Sequence, residues 1–211
     1  MLVTKERKIR LGVLISGSGT NLQVIIDACE AGEMDAEVAV VISNKETAYG
    51  LERARKSGID AVWLDRSRFE HPALYSAAIR SSLQSHGVDV VVMAGYMRLL
   101  GRAVLAAYPD RVVNLHPALL PSFPGADGIR DAFASGVKVT GVTVHFASEV
   151  FDDGPIIAQE PVRIHEDDTL ETLEAKIHEA EHRLYPQALA AIAAGRVTIS
   201  EDRVVHIAPK A

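Results

Sequence analysis

Asn114 and His116 are the residues whose types and spacing first suggest chemistry. They stand two positions apart in Asn114-Leu115-His116-Pro117-Ala118-Leu119-Leu120-Pro121-Ser122-Phe123-Pro124-Gly125, a run that continues the apolar Arg111-Val112-Val113. On an extended segment, residues two apart point to one face, so a carboxamide donor and an imidazole are offered together to a single acceptor atom. Such a pair can polarise and protonate a carbonyl oxygen, as acyl transfer requires. Pro117, Pro121 and Pro124 bar helix or ladder pairing beyond the strand, so the chain is expected to leave as a fixed loop able to wall a pocket. Asp152 follows a strand-like stretch containing His145 and precedes Asp153-Gly154-Pro155, so it offers a carboxylate on a turn that could fold back to the same place. Beside an imidazole it favours the charged ring and readies it to donate a proton. Plainer readings stand next to these: a satisfied structural histidine, and an ordinary turn aspartate.

A second constellation is Ser16-Gly17-Ser18-Gly19-Thr20-Asn21, between the first strand-like run and the first helical one. Glycines let the backbone approach a ligand closely, Thr20 or Asn21 can cap the helix, and free N–H groups at its start favour an anion such as phosphate. A dinucleotide is disfavoured, because Leu22 occupies the place of the third glycine and Ser43-Asn44-Lys45 lacks a ribose-binding acid. The bland alternative is a tight strand–helix turn. Gly95-Tyr96-Met97-Arg98-Leu99-Leu100 follows another buried run and sets apolar and cationic groups where a flat aromatic ligand with an anionic tail would fit, or where they simply join the core. His178-Glu179-Ala180-Glu181-His182 satisfies the H-E-x-x-H zinc pattern, with Glu201 as a conceivable third ligand. The zinc reading is disfavoured: Pro186 follows closely, and surface charges often produce this pattern. His71, His86, His165 and His206 are given no role.

These groups need a scaffold. Ile9–Ile15 reads as a buried strand, and further apolar runs at 37–42, 61–64, 88–93 and 111–115 alternate with helical patterns at 22–30, 48–57, 73–86 and 101–107. Short β-branched runs separated by helices, without strict polar alternation, imply an α/β fold: a Rossmann-like, mostly parallel sheet with helices on both faces. Ligands of such sheets lie beyond the carboxyl ends of the strands. Past Gly136 the period becomes two, in 140–146 and 155–164, and predicts an antiparallel C-terminal extension. A long amphipathic helix is predicted over 169–194, with Thr169 as N-cap, Gly195 as stop and Pro186 kinking or dividing it. A hairpin of 197–199 and 204–207 is expected to close the chain.

Composition narrows the options. At 211 residues with 48% hydrophobic and 24% charged residues, one globular domain is expected. A net charge of −6 and the lack of a polybasic run argue against a nucleic-acid partner. No apolar stretch nears the roughly 20 residues that cross a bilayer, and Met1 to Arg10 lacks a secretory core, so no membrane partner and a cytoplasmic location are expected. Cys29 is the single cysteine, which precludes an intrachain disulfide, and its spacing with Ile25 and Ile26 indicates packing.

Taken together, Ile15-Ser16-Gly17-Ser18-Gly19-Thr20-Asn21, Ala94-Gly95-Tyr96-Met97-Arg98-Leu99-Leu100, the Asn-x-His-Pro-x-Leu-Leu-Pro run at 114–121, Asp152-Asp153-Gly154-Pro155 and Glu181-His182-Arg183-Leu184-Tyr185-Pro186 closely resemble the phosphoribosylglycinamide formyltransferases of purine biosynthesis. The resemblance runs from about residue 8 to residue 200. It implies one formyltransferase domain over 1–211, the N-terminal half binding the ribonucleotide phosphate and the C-terminal half serving folate binding and catalysis. It implies transfer of a formyl group from 10-formyltetrahydrofolate, as cosubstrate, to the amine of glycinamide ribonucleotide. Gly19, Thr20 and Asn21 would then hold the phosphate and Glu181 the ribose hydroxyls, which accounts for Glu181 without a metal. Met97, Arg98, Leu99 and Leu100 would line the folate pocket with Asn114. Asn114 and His116 would meet the formyl oxygen, with Asp152 paired to His116 and ordering a proton-relaying water. The resemblance also allows a homodimer.

The chain departs from the family pattern at three places. Asp127 stands where many relatives carry a histidine, Asp153 where a small residue is common, and Pro72 where a basic residue often serves the folate tail, a role that Arg66 or Arg68 could take over. Rival readings are a hydrolase releasing formate from 10-formyltetrahydrofolate, which usually has an added N-terminal domain, and a tRNA-directed formyltransferase, which usually has a C-terminal one. A noncatalytic phosphate-ligand sensor is a third; it would not need Asn114, His116 and Asp152 together.

Overall fold

The computed structural model describes residues 7–210; the part of the reading about a secretory signal that falls on residues 1–6 lies outside them. The chain runs β1 (Ile9–Ile15), α1 (Thr20–Glu30), β2 (Ala36–Ser43), α2 (Tyr49–Lys56), β3 (Asp60–Trp63), α3 (Pro72–Ser85), β4 (Val90–Met93), α4 (Arg102–Ala107) and β5 (Val112–His116). It continues through α5 (Gly128–Ser135), β6 (Val139–Phe146), β7 (Ile156–Arg163), α6 (Leu170–Ala193), β8 (Val197–Ile199) and β9 (Val205–Ile207). Seven strands form one sheet in the order β3-β2-β1-β4-β5-β6-β7. β3 to β5 are parallel, and β6 and β7 add antiparallel to the β5 edge.

Alternate residues of the central strands feed two cores. Val13, Ile15, Val90 and Val92 pack with α1, α2 and α6 on one face. Leu14, Val91 and Met93 pack with Tyr75, Ile79 and Leu83 of α3 and Val104 of α4 on the other. Burial on both faces explains why these strands read as continuous apolar runs. Successive strands are added in one direction from β1 to β3 and in the other from β4 onward, so the crevice beyond the carboxyl ends of β1 and β4 lies where the glycine loop and the 95–100 loop both emerge.

Helix ends follow local chemistry, with three differences from expectation. Neither Thr20 nor Asn21 caps α1: Gly19, at φ 71°, is the N-cap residue, and no side chain caps it. Pro186 does not divide α6, which runs unbroken from Leu170 to Ala193. Leu173, Ile177, Leu184, Tyr185, Leu189 and Ile192 are buried along that helix, and this burial outweighs the one backbone bond that proline removes. α5 was not legible in the periodicity, being eight residues long and opening on glycine. At the start of α6 the reading holds: Thr169 accepts from the Thr172 N–H at 3.2 Å, and the Thr172 hydroxyl accepts from the Thr169 N–H at 3.0 Å. Cys29 is buried in the core, where desolvation pushes its thiol up to about 11.

Candidate active site

The glycine loop, residues 17–21, folds against the start of α2. Gly50 N–H donates to Gly17 O at 3.1 Å, and Arg53 Nε donates to Ser18 O at 2.9 Å. Gly19 combines its left-handed backbone with contact so close that a Cβ would lie 2.7 Å from Gly50 Cα, so only glycine fits. The first intrahelical bond is Gln23 N–H to Gly19 O. The N–H groups of Thr20, Asn21 and Leu22 precede it and face outward from the positive end of the helix dipole, with no acid in the first turn.

Asn21 turns its side chain away from capping and toward α6. Its Nδ2 donates to Glu181 Oε2 at 3.0 Å, and both residues are buried. His178 Nδ1 approaches the same oxygen at 2.9 Å, and this bond to Glu181 raises the His178 pKa against the opposing effect of burial. Asn21 Oδ1 is buried without a partner. The glycine loop, Met97, Asp127, Arg130, His178 and Glu181 border one cavity of about 320 Å³. That size lies within the range of small-molecule sites, and its polar groups converge from opposite walls.

Across the crevice, the β5–β6 register sets Asn114 opposite His145 and His116 opposite Thr143. Asp152, at φ 52° on the turn after β6, brings its carboxylate between them. Oδ1 lies 3.5 Å from Asn114 Nδ2 and 3.6 Å from His145 Nε2. Oδ2 lies 3.4 Å from His116 Nδ1 and accepts from the Gly125 N–H at 2.8 Å. His145 Nδ1 lies 3.0 Å from Phe146 O, which assigns the proton to Nδ1 and leaves Nε2 to accept from Asn114 Nδ2 at 3.1 Å. Asn114 is therefore fixed in orientation, with its longer contact, to Asp152, the easier to exchange.

Burial, the largest single influence on Asp152, pushes its pKa up. The Gly125 N–H and the neighbouring His145 and His116 rings together outweigh it and hold the carboxyl below the ordinary aspartate value. His116 behaves differently from the sequence expectation of a charged ring. Its side chain is 3% exposed, and desolvation overrides the nearby carboxylate to push the pKa below the ordinary histidine value. Nε2–H donates to Phe123 O at 2.8 Å, so the loop after β5 closes over the ring. Gly128 permits this closeness, since a Cβ there would lie 3.2 Å from His116 Nε2.

Asn114, Asp152, Arg98, Leu99 and Leu100 border a second cavity of about 60 Å³. Met97 lies on the wall of the larger cavity instead. Each cavity draws residues from both halves of the chain. Pro72 is the first residue of α3; Arg66 bonds Phe69 O at 2.6 Å and Arg68 lies over the Trp63 ring. Among the described residues no group of three or more His, Cys, Asp or Glu is placed to hold a metal, and His178 is turned to Glu181. No helix among them is long and apolar enough to cross a membrane. The buried His145 was missed as a site residue; its signal was register, two residues beyond Thr143 on a strand pairing with the catalytic-type motif.

Residues 9–189 match the formyl transferase family. The phosphoribosylglycinamide formyltransferase of Bacillus subtilis is 41% identical over 180 residues, covering 85% of this chain and 92% of its own. That of Escherichia coli is 40% identical over 190 residues, covering 90% of each chain. The solved structure of glycinamide ribonucleotide transformylase 1 from Symbiobacterium toebii superposes with a TM-score of 0.94 at 49% identity, covering 97% of this chain and 96% of that one.

Proposed function

As this chain belongs to the formyl transferase family, among the phosphoribosylglycinamide formyltransferases of purine biosynthesis, we propose that it moves the formyl group of 10-formyltetrahydrofolate onto the amine of glycinamide ribonucleotide. The reading rests on one observation above the others. Asp152 lies within 3.5 Å of the Asn114 amide and within 3.4 Å of the His116 ring, on the far side of the crevice from the glycine loop. Carboxamide, imidazole and carboxylate thus converge beside a cavity with an anion-ready helix terminus.

The phosphate is held by the N–H groups at Gly19, Thr20 and Asn21, and Glu181 accepts from the ribose hydroxyls. Asn21 and His178 already hold one carboxylate oxygen in place. The donor ring lies along Arg98, Leu99, Leu100 and Asn114, with Met97 at the boundary between the two ligands. The exposed Val150 and Phe151 stand on the rim of the second cavity.

The substrate amine is the nucleophile, so no serine or cysteine nucleophile is required. Its lone pair forms a C–N bond to the formyl carbon while the carbonyl π pair moves to oxygen. Asn114 Nδ2–H exchanges its long contact with Asp152 for the developing oxyanion, and His116 supplies a second hydrogen bond when Nε2–H leaves Phe123 O. Donors of this kind each contribute roughly 3 kcal/mol to such a transition state. Asp152, ionised at the outset, steadies the ring, takes up through a water the proton that the amine sheds, and returns to its carboxylate when it passes that proton on. Collapse of the intermediate breaks the bond to the folate N10, which takes up that proton, giving formylated ribonucleotide and tetrahydrofolate. Holding both substrates in one crevice supplies a further share of the rate.

The deciding measurement follows deformylation of 10-formyltetrahydrofolate with and without glycinamide ribonucleotide. Strict dependence on the ribonucleotide is expected. Formate release without it would select the hydrolase, and no turnover in either arm would leave a binding protein.

A further inference from the structure

The loop at 95–100 is the wall between the two cavities, with Met97 on the larger and Arg98 on the smaller. Among the described residues, no backbone–backbone hydrogen bond reaches residues 95–100. Its ties are side chains. The Met97 N–H donates to Ser16 Oγ at 2.9 Å, and Ser16 is itself only 3% exposed. Tyr96 OH meets Tyr75 OH at 3.2 Å below the loop.

Asn44, at the end of β2, completes the arrangement. With its amide nitrogen toward Ser16 Oγ (2.7 Å) and Ile15 O (3.3 Å), its oxygen accepts from Arg98 Nε at 3.1 Å, so both ends of the Asn44 amide are satisfied. Ser16 immediately precedes Gly17, whose carbonyl is anchored by the Gly50 N–H. One buried hydroxyl therefore joins the root of the glycine loop to the backbone of the partition, and one amide joins that hydroxyl to the guanidinium bordering the second cavity.

We propose that Ser16 and Asn44 are positioning residues that clamp the 95–100 loop in register, so that the donor meets a preformed edge. Neither touches either substrate. The inference rests on the formyl-transfer reading for its kinetic consequence, while its structural content stands apart from it. A loop with so few backbone bonds samples many shapes unless held, and each shape that mismatches the donor weakens binding on that side of the crevice alone.

The test uses Ser16→Ala, Asn44→Ala and the hydroxyl-retaining Ser16→Thr in the full chain. Loss of one such bond is expected to raise the KM for 10-formyltetrahydrofolate about tenfold while the KM for the ribonucleotide stays within about twofold. Ser16→Thr should recover most of the loss. Amide hydrogen exchange supplies a readout independent of turnover: Met97 N–H should be protected in the parent chain and exchange at least about tenfold faster in Ser16→Ala, with β1 and β4 amides unchanged. A parent chain without formyl transfer but with a protected Met97 amide would remove the functional reading and leave the clamp standing. An unprotected Met97 amide in the parent, an unchanged donor KM, or parallel rises in both KM values would overturn the clamp.

Discussion

The imidazole Nε2 of His116 lies 2.8 Å from the carbonyl oxygen of Phe123, so the loop that leaves β5 returns to hold the ring that precedes it. The ring nitrogen assigned to the formyl oxygen is thus occupied by backbone until that loop yields. On the proposed mechanism, loop movement and the freeing of that N–H for the formyl oxygen become one event. Gly125, which donates to Asp152 Oδ2, and Gly128, against the ring, belong to the same short stretch and shift with it.

Asn114→Ala and His116→Ala should each lower kcat about a hundredfold to a thousandfold, as expected for removing one donor to a developing oxyanion. Equilibrium binding of the ribonucleotide should change little, since neither residue borders the larger cavity. Steady-state kinetics paired with ribonucleotide binding check this. Near-normal turnover in either variant would remove the assigned roles.

Asp152→Asn keeps the side-chain size but loses the charge facing His116 and the strong acceptor for Gly125 N–H. A fall in kcat of about a hundredfold or more is expected from loss of its part in proton transfer. The 121–128 loop should also loosen, seen as faster amide exchange at Gly125. A variant with normal kcat and a protected Gly125 amide would show that the carboxylate does neither job.

The depressed His116 pKa has a consequence for stability. Its folded value lies below that of the unfolded chain, about 6.5, so the unfolded state takes up the proton first and stability falls as pH drops below that value. The paired Asp152 carboxyl, also depressed, contributes stability present above its unfolded value of about 3.9 and lost as pH falls through its folded one. Between pH 7.5 and 5, His116→Gln should therefore lose less in Tm than the parent chain. Equal losses would mean that the ring is not held neutral.

Glu181→Gln retains the shape of the proposed ribose acceptor and removes its charge. The KM for the ribonucleotide should rise about tenfold or more, in line with the loss of charge-assisted hydrogen bonds, while that for the folate stays near the parent value. The same variant should titrate His178 at a lower pKa, because the Glu181 bond is what raises it. NMR titration of His178 reads this directly, and an unmoved midpoint would break the link.

Gly19→Ala should destabilise the fold by about 1–3 kcal/mol, from a left-handed backbone and a Cβ driven onto Gly50. Phosphate-ester binding should weaken with it, since α2 must shift and carry the loop along. Thermal unfolding and binding of a ribose 5-phosphate probe measure the two effects, and an alanine variant with unchanged Tm and affinity would contradict the close packing seen here.

How much was legible in sequence follows from how local each cause is. β1 was read to the residue as Ile9–Ile15, and β2 to β5 and α2 to α4 within about two residues at either end, because strand and helix periods are carried by neighbours along the chain. The Asn114–His116 pairing on one face follows from the same period of two. α5 escaped because it is short and starts at glycine, and the continuity of α6 through Pro186 escaped because packing against α1, β6 and β7, not propensity, decides it.

Tertiary structure alone decided the rest. Only the antiparallel register of β5 with β6 puts His145 beside Asn114, and only the fold of the turn at Asp152 brings its carboxylate across 36 residues to His116. The protonation of His116 was misjudged from sequence because a neighbouring carboxylate is visible there and desolvation is not. Asn21, read as a cap, bonds Glu181 across 160 residues, since a buried amide takes the strongest acceptor that the packing supplies. Residue types named the chemistry available; distances and burial, set by segments far apart in the chain, decided which groups meet and in which charge state.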